Sequence, residues 1–316
     1  MAVKSTESKI AQLVFATFAE DSENLDHVYI MAESIREFAD DMKDAPIWLY
    51  VPDYAELSME KVASRFAPLN VTVRISTAPE DSRLFYYSGK TYAAGQAEHD
   101  AENVASILVW MDEDTIILRK PQEFLLPDSV VLGYRPVMHN RSGSLKSEKP
   151  NPFWSRIYDL LAVAEDNLFP MVTPADQQTI RAYFNAGLLV VRPERGILTK
   201  WSHDFAVLYR DSVLARTCRD DITARIFLHQ TALVGSVLNT IRRNEMVELS
   251  AAYNYPLFFE RMFGATSEFG SIEDVVSLRY DTYFRKPDPD WQQRLRGPEP
   301  QRSWLIARLG EISAVK

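Results

Sequence analysis

The stretch "ILVWMDEDTIIL", Ile107–Leu118, decides how this chain is read. Five apolar residues lead into three consecutive acids, Asp112, Glu113 and Asp114, after which the apolar pattern resumes. A carboxylate buried without a partner costs several kcal/mol, so three of them at the end of a core strand require a cation, a donor network or open water. Upstream, short β-branched runs alternate with stretches of helical spacing. "IAQLVFATFA" (Ile10–Ala19) reads as a strand and "VYIMAESIREFADDM" (Val28–Met42) as a helix. "APIWLYVPD" is a second strand stopped by Pro52, "SMEKVASRFAPL" a helix with Ser58 as N-cap, and "NVTVRIST" a third strand. This alternation predicts an α/β fold with a mostly parallel sheet covered on both faces, and such sheets bind ligands beyond the carboxyl ends of their strands. The acid triplet stands at that place.

Downstream, "HNRSGSLKSEKPNP" (His139–Pro152) is polar and reads as a mobile loop able to act as a lid. "FWSRIYDLLAVAED" is a helix, "YFNAGLLVVRPE" (Tyr183–Glu194) a strand, "GILTKWSHDFAVLYRDSVLA" (Gly196–Ala215) one long amphipathic helix, and "IFLHQTALVGSVLN" a further helix. From Val275 the chain turns proline-rich and charged before a last short helix. The 316 residues, 46% hydrophobic, suffice for a sizeable core, and we expect one domain over 1–316. Within it, 10–118 and 119–290 would form two halves, and 291–316 would be a tail. With 35 basic and 44 acidic residues the formal charge is -9, which argues against a nucleic-acid partner. The single cysteine, Cys218, excludes an internal disulfide and a cysteine-rich zinc site. The opening "MAVKSTESK" has no apolar signal core and no segment approaches membrane-spanning length, so the expected location is cytoplasmic.

Alternate strand residues face the same way, so Asp112 and Asp114 are expected to project together and Glu113 to the other side. Two carboxylates on one side suit a hard cation, Mg²⁺ or Mn²⁺, completed by water and substrate phosphates. The plain alternative is a strand end facing water. Asp288-Pro289-Asp290 has the same spacing, but no strand precedes it and it reads as a solvated turn.

"ILVWMDEDTIILRKPQEF" resembles the strand, D-x-D and following segment of nucleotide-sugar glycosyltransferases with the GT-A fold. "YFNAGLLVVRPE" is similar to the F-N-[AS]-G strand of the glycogenin-like and lipopolysaccharide galactosyltransferase-like family, with Asn185 lying 73 residues after Asp112 (185 − 112). The resemblance implies a GT-A-like α/β fold with a mostly parallel, mixed sheet flanked by helices. It implies a metal-assisted, retaining hexosyltransferase that takes a nucleoside-diphosphate sugar, a UDP-sugar, and passes the sugar to a glycosyl acceptor. Asp112 and Asp114 would hold Mn²⁺ or Mg²⁺. Ala16, Thr17 and Phe18 would line the nucleoside pocket, and Lys90, ahead of the helix preceding the acids, would lie near the donor with Glu113. Asn185 and Gly187 would border the sugar and acceptor.

The chain departs from the family in two places. His229-Gln230 stands where an acid and a glutamine head a later helix, so Gln230 keeps a catalytic assignment beside Asn185. The family's His-x-x-Gly-x-x-Lys-Pro tail aligns on Lys286-Pro287, which places Lys286 on the diphosphate and Tyr280 where the third metal ligand would be. Asp281, one position on, is the substitute oxygen ligand; two aspartates with water and diphosphate, or a chain that needs no metal, are the other readings. His229, Trp154 and the Asn254-Tyr255 pair each read equally as core residues. Two other functions fit the same architecture. A sugar-phosphate nucleotidyltransferase would want a Gly-rich basic loop after the first strand, whereas "ATFAEDSENL" is acidic; a non-catalytic nucleotide-sugar binder would account for the missing acid and histidine.

Overall fold

The computed structural model describes residues 11–263 and 269–314. The elements run β1 (Val14–Phe18), α1 (Ser22–Phe38), β2 (Ile47–Pro52), α2 (Met59–Phe66), β3 (Val71–Ser76), α3 (Ser88–Ala101) and β4 (Leu108–Met111). They continue with β5 (Thr115–Ile117), β6 (Leu132–Pro136), α4 (Pro152–Leu160), β7 (Pro170–Val172), β8 (Thr179–Arg181), β9 (Phe184–Val191) and α5 (Ile197–Arg210). After these come α6 (Ser212–Asp220), α7 (Ile222–Leu238), β10 (Met246–Glu248), β11 (Tyr255–Pro256), α8 (Phe259–Phe263), β12 (Ser277–Arg279), α9 (Trp291–Arg294) and α10 (Gln301–Ala314).

The large sheet has the order β10-β6-β9-β4-β1-β2-β3. Strands β4, β1, β2 and β3 are parallel, while β9 runs antiparallel to both of its neighbours. The result is the helix-flanked α/β sheet that the strand–helix alternation predicted, with the mixed strand directions that the family resemblance implied. Its strands are apolar on both sides because both faces are covered. Ala16, Leu108, Trp110 and Leu189 pack toward the helices α3, α5 and α7, whereas Phe15, Val109, Met111 and Val190 pack toward α1 and α2. Helix ends follow the local chemistry: Ser58 caps α2 and Asp21 caps α1 through its side chain.

The acids are not inside one strand. β4 ends at Met111, residues 112–114 form a turn, and β5 leaves the large sheet to pair with β12 in a second sheet ordered β11-β12-β5. Thr115 is in register with Arg279. This second sheet, α1's Ile30 and the tail helices build a third core around Ile116, Leu278, Tyr280, Phe284 and Trp291.

Two other expectations are corrected. The single long helix after Gly196 is two helices, because Asp211 leaves α5 in an extended conformation and its carboxylate accepts from Leu214 N to cap α6. The polar loop from His139 is strapped rather than loose. The Arg181 guanidinium donates to Ser144 Oγ (3.0 Å), to Glu148 O (2.6 Å) and to Leu145 O, and Trp154, a core residue, donates from Nε1 to Ser142 O (2.6 Å). Cys218 is buried, and burial pushes its thiol up to about 11. Among the described residues no helix is long and apolar enough to cross a membrane.

Candidate active site

A cleft of about 1100 Å³ opens where β1 and β4 end, bounded by the first turn of α3, the start of β9 and the middle of α7. Its floor is the acid turn. Asp112 N donates to Gly187 O (2.8 Å), so the turn is still tied to β9 where the cleft begins. β5 then carries Asp114 toward β12, which brings Arg279 from a distant part of the chain alongside it.

The carboxylates of this turn meet two cations. Lys90, in the first turn of α3, forms a close ion pair with Asp112 Oδ1. Arg279 spans both aspartates, with Nη1 3.8 Å from Asp112 Oδ2 and Nη2 3.5 Å from Asp114 Oδ2. The four side chains are only 8–21% exposed, so these pairs are far less screened than surface ones. Glu113 points instead to α1, where it accepts from Asn24 Nδ2 (3.2 Å). Burial, reinforced by the neighbouring charges of Asp112 and Asp114, pushes its carboxyl up to about 8. Lys90 and Arg279 are the cations that pair with the two aspartates of the turn.

The start of β9 and the middle of α7 contribute neutral groups, with Arg225 and Arg141 further along the lining. Asn185 Oδ1 accepts from Gly187 N (2.8 Å), and Gln230 Oε1 accepts from Ala186 N (3.2 Å), which fixes both amides. Gly187 leaves room here: a Cβ would stand 2.5 Å from Asp112 Oδ2 and 3.0 Å from Arg279 Nη1, so these side chains would have to shift. Burial, aided by the charge of Lys90, drives the His229 imidazole well below its ordinary value, so it is neutral. Its Nδ1 lies 2.9 Å from Ile226 O, and a carbonyl can only accept, so Nδ1 carries the proton and Nε2 is an acceptor. Tyr87 stacks on this ring (centroids 4.6 Å apart) from a left-handed backbone conformation, φ 60°.

Of the residues singled out from sequence, Phe18, Lys90, Asp112, Glu113, Asp114, Asn185, Gly187 and Gln230 all line this one cleft. Lys90 does so from inside α3 rather than ahead of it, and Gln230 from the middle of α7 rather than its head. Ala16 and Thr17 are fully buried in β1 and do not reach the lining. Lys286 is exposed outside it; Arg285 is the tail cation at the rim, 3.4 Å from Glu23. The side chain of Asp281 lies outside the described residues. Asn254 is buried away from the lining. Sequence reading missed Arg279, whose only local signal is its position just before Tyr280, the residue aligned with the family's metal-ligating histidine.

A divalent cation is the cofactor that the D-x-D pattern implies, and it needs carboxylate oxygens at about 2.1 Å together with further oxygen or nitrogen ligands. The space between Asp112 and Asp114 instead faces the Arg279 guanidinium. Tyr280, in place of the third ligand, turns to the other side and shares a 2.6 Å hydrogen bond with His27 Nδ1. Burial, with the nearby charges of Asp114 and Glu113, raises its phenol well above the ordinary value, so it is no anionic ligand. Among the described residues no group of three or more His, Cys, Asp or Glu side chains is arranged to hold a metal. The residues present do not fit a divalent ion held between the two aspartates.

The chain belongs to the Rhodobacterales glycosyltransferase domain family, whose pattern it matches over residues 19–237, and it is a glycosyltransferase. No curated protein sequence matches it. Among solved structures it is similar to the galactosyltransferase LgtC in complex with donor and acceptor sugar analogues, at 15% identity over 96% of this chain and 95% of that one, TM-score 0.46. Mouse xyloside xylosyltransferase 1 is similar at 12% identity over 86% and 97%, TM-score 0.46. Core-mannan synthase A from Aspergillus fumigatus, in a form with Mn and GDP, is similar at 9% identity over 78% and 74%, TM-score 0.42.

Proposed function

We propose that this glycosyltransferase takes a nucleoside-diphosphate sugar, a UDP-sugar, and transfers its hexosyl group to a glycosyl acceptor with retention at the anomeric carbon. The observation that carries the reading is the convergence of Lys90, Arg279 and the positive end of α3 on one edge of the cleft, which the neutral side chains of Asn185, Gln230 and His229 also line. The two cations offset the two aspartates, and their remaining N–H donors, with those of the first turn of α3, give a diphosphate hydrogen-bond partners in an otherwise acidic protein. A guanidinium fork pairs with two phosphate oxygens at once, and a buried ammonium adds a point charge. Asn185, Gln230 and neutral His229 offer donors and acceptors suited to sugar hydroxyls, which are themselves both.

In the step proposed, the bond from the anomeric carbon to the diphosphate oxygen breaks and its electron pair stays on that oxygen. The acceptor hydroxyl oxygen bonds to the anomeric carbon from the same face, and its proton passes to the departing diphosphate. Lys90 and Arg279 stabilise the charge that grows on the leaving group, and the amide wall orients the sugar. The division into a donor half (10–118), an acceptor half (119–290) and a tail (291–316) of one domain is kept, except that Arg279 serves the donor. Retention rests on the Phe184-Asn-Ala-Gly resemblance.

The test is a panel of UDP-sugars assayed for UDP release with oligosaccharide acceptors, with the product anomer read by NMR. Release from at least one donor, and a product of the donor's own configuration, supports the reading. No release from any nucleoside-diphosphate sugar would overturn it.

A further inference from the structure

Each D-x-D carboxylate is already engaged, and by groups that the fold holds rigidly. Arg279 ends β12, whose pairing with β5 sets it opposite Thr115, next to Asp114. Its two terminal nitrogens reach one aspartate each, at 3.8 and 3.5 Å, in the position a bridging cation would take. Lys90 holds the remaining oxygen of Asp112 from a helix packed in the core. Gly187 supplies the room: its missing Cβ would meet both Asp112 Oδ2 and Arg279 Nη1. The following residue, Tyr280, is 1% exposed, and its hydroxyl is committed to His27. A divalent ion entering this site would have to displace a guanidinium and approach an ammonium, both of like charge.

We infer that Arg279, with Lys90, takes the place of the divalent cation, so that this enzyme binds its donor's diphosphate without metal. The inference rests on the nucleoside-diphosphate reading above and assigns Arg279 as the residue that bridges Asp112 and Asp114 to the diphosphate. The fork suits this role because one guanidinium can face two carboxylates on one edge and phosphate oxygens on another.

The test is calorimetric titration of UDP into the full chain, once after dialysis against EDTA and once with added MnCl₂. The expected result is a dissociation constant equal in the two within about twofold. Arg279→Gln should weaken UDP binding by about tenfold or more without metal, while Arg279→Lys retains a larger share and uridine binding is unchanged in both. Thermal melts check that the variants fold; if Arg279→Gln does not, the native chain and Arg279→Lys still decide. UDP binding that vanishes in EDTA and returns with Mn²⁺ would overturn this inference while leaving the donor reading intact, and so would Arg279→Gln binding UDP like the parent. No UDP binding in either condition would overturn both.

Discussion

Gly187→Ala probes the centre of the site with a single methyl group. The added Cβ would stand 2.5 Å from Asp112 Oδ2, against about 3.4 Å for ordinary contact, so the two must separate by about 0.9 Å (3.4 − 2.5). Arg279 Nη1 and Asn185 Oδ1, each 3.0 Å away, block the easy escapes. The backbone cannot yield, because Gly187 O accepts from Asp112 N in the β4–β9 ladder. The carboxylate must therefore rotate, loosening its pairs with Lys90 and Arg279. Overpacking of this kind costs about 1–3 kcal/mol, and if half of that, about 0.5–1.5 kcal/mol, falls on the cation geometry, UDP binds about two- to tenfold more weakly. Calorimetric titration of UDP beside a thermal melt is the assay. Unchanged affinity and an unchanged Tm would refute the claim that Asp112 is wedged between β9 and its two cations.

Three further outcomes test the surrounding frame. Glu98 is buried with one oxygen on Thr199 N (2.7 Å), and burial lifts its carboxyl to about 7. A carboxyl raised in the folded state favours folding only while protonated, so its contribution is full below pH 4.5 and about 3 kcal/mol is lost as pH rises through 7; Glu98→Gln should melt higher than the parent at pH 8, and parallel Tm-against-pH curves would contradict this. Gly310 lies within α10, where a built Cβ would meet Gln292 Nε2 at an ordinary 4.0 Å, so Gly310→Ala should stabilise by about 0.5–1 kcal/mol in a denaturant titration. Asp221 caps α7 through Thr223 N (2.7 Å) and Ala224 N (3.3 Å), and Asp221→Ala should cost about 1 kcal/mol in the same measurement while leaving UDP affinity within twofold.

What the sequence reveals divides along local and non-local lines. β1 and β2 are legible because strands covered on both faces are unbroken apolar runs, β3 because its residues are mostly β-branched, and α2 because Ser58 announces its start. The α5–α6 break is not, since helical spacing runs on across Asp211 with no glycine or proline to mark it. The loop from His139 has the composition of a mobile segment, and only the strap from Arg181, some way along the chain, holds it down. β5 and β12 are three residues each, too short for a periodicity, and their pairing joins positions 164 apart (279 − 115). Arg279 is invisible for that reason. The Lys286-Pro287 alignment points to the tail, while the cation that reaches the acids comes from the strand before it. Asp112, Asn185 and Gly187 were legible because acids in an apolar run and a glycine entering a buried strand both demand a reason.

The central claim is that the cleft seats a nucleoside diphosphate against Lys90 and Arg279. A crystal structure of the protein grown with UDP tests it most directly. The account predicts diphosphate oxygens within hydrogen-bonding reach of Lys90 Nζ and the Arg279 guanidinium, at the first turn of α3 and above the Asp112–Asp114 turn. UDP bound elsewhere on the molecule, or in the cleft with its diphosphate directed away from both cations, would contradict it.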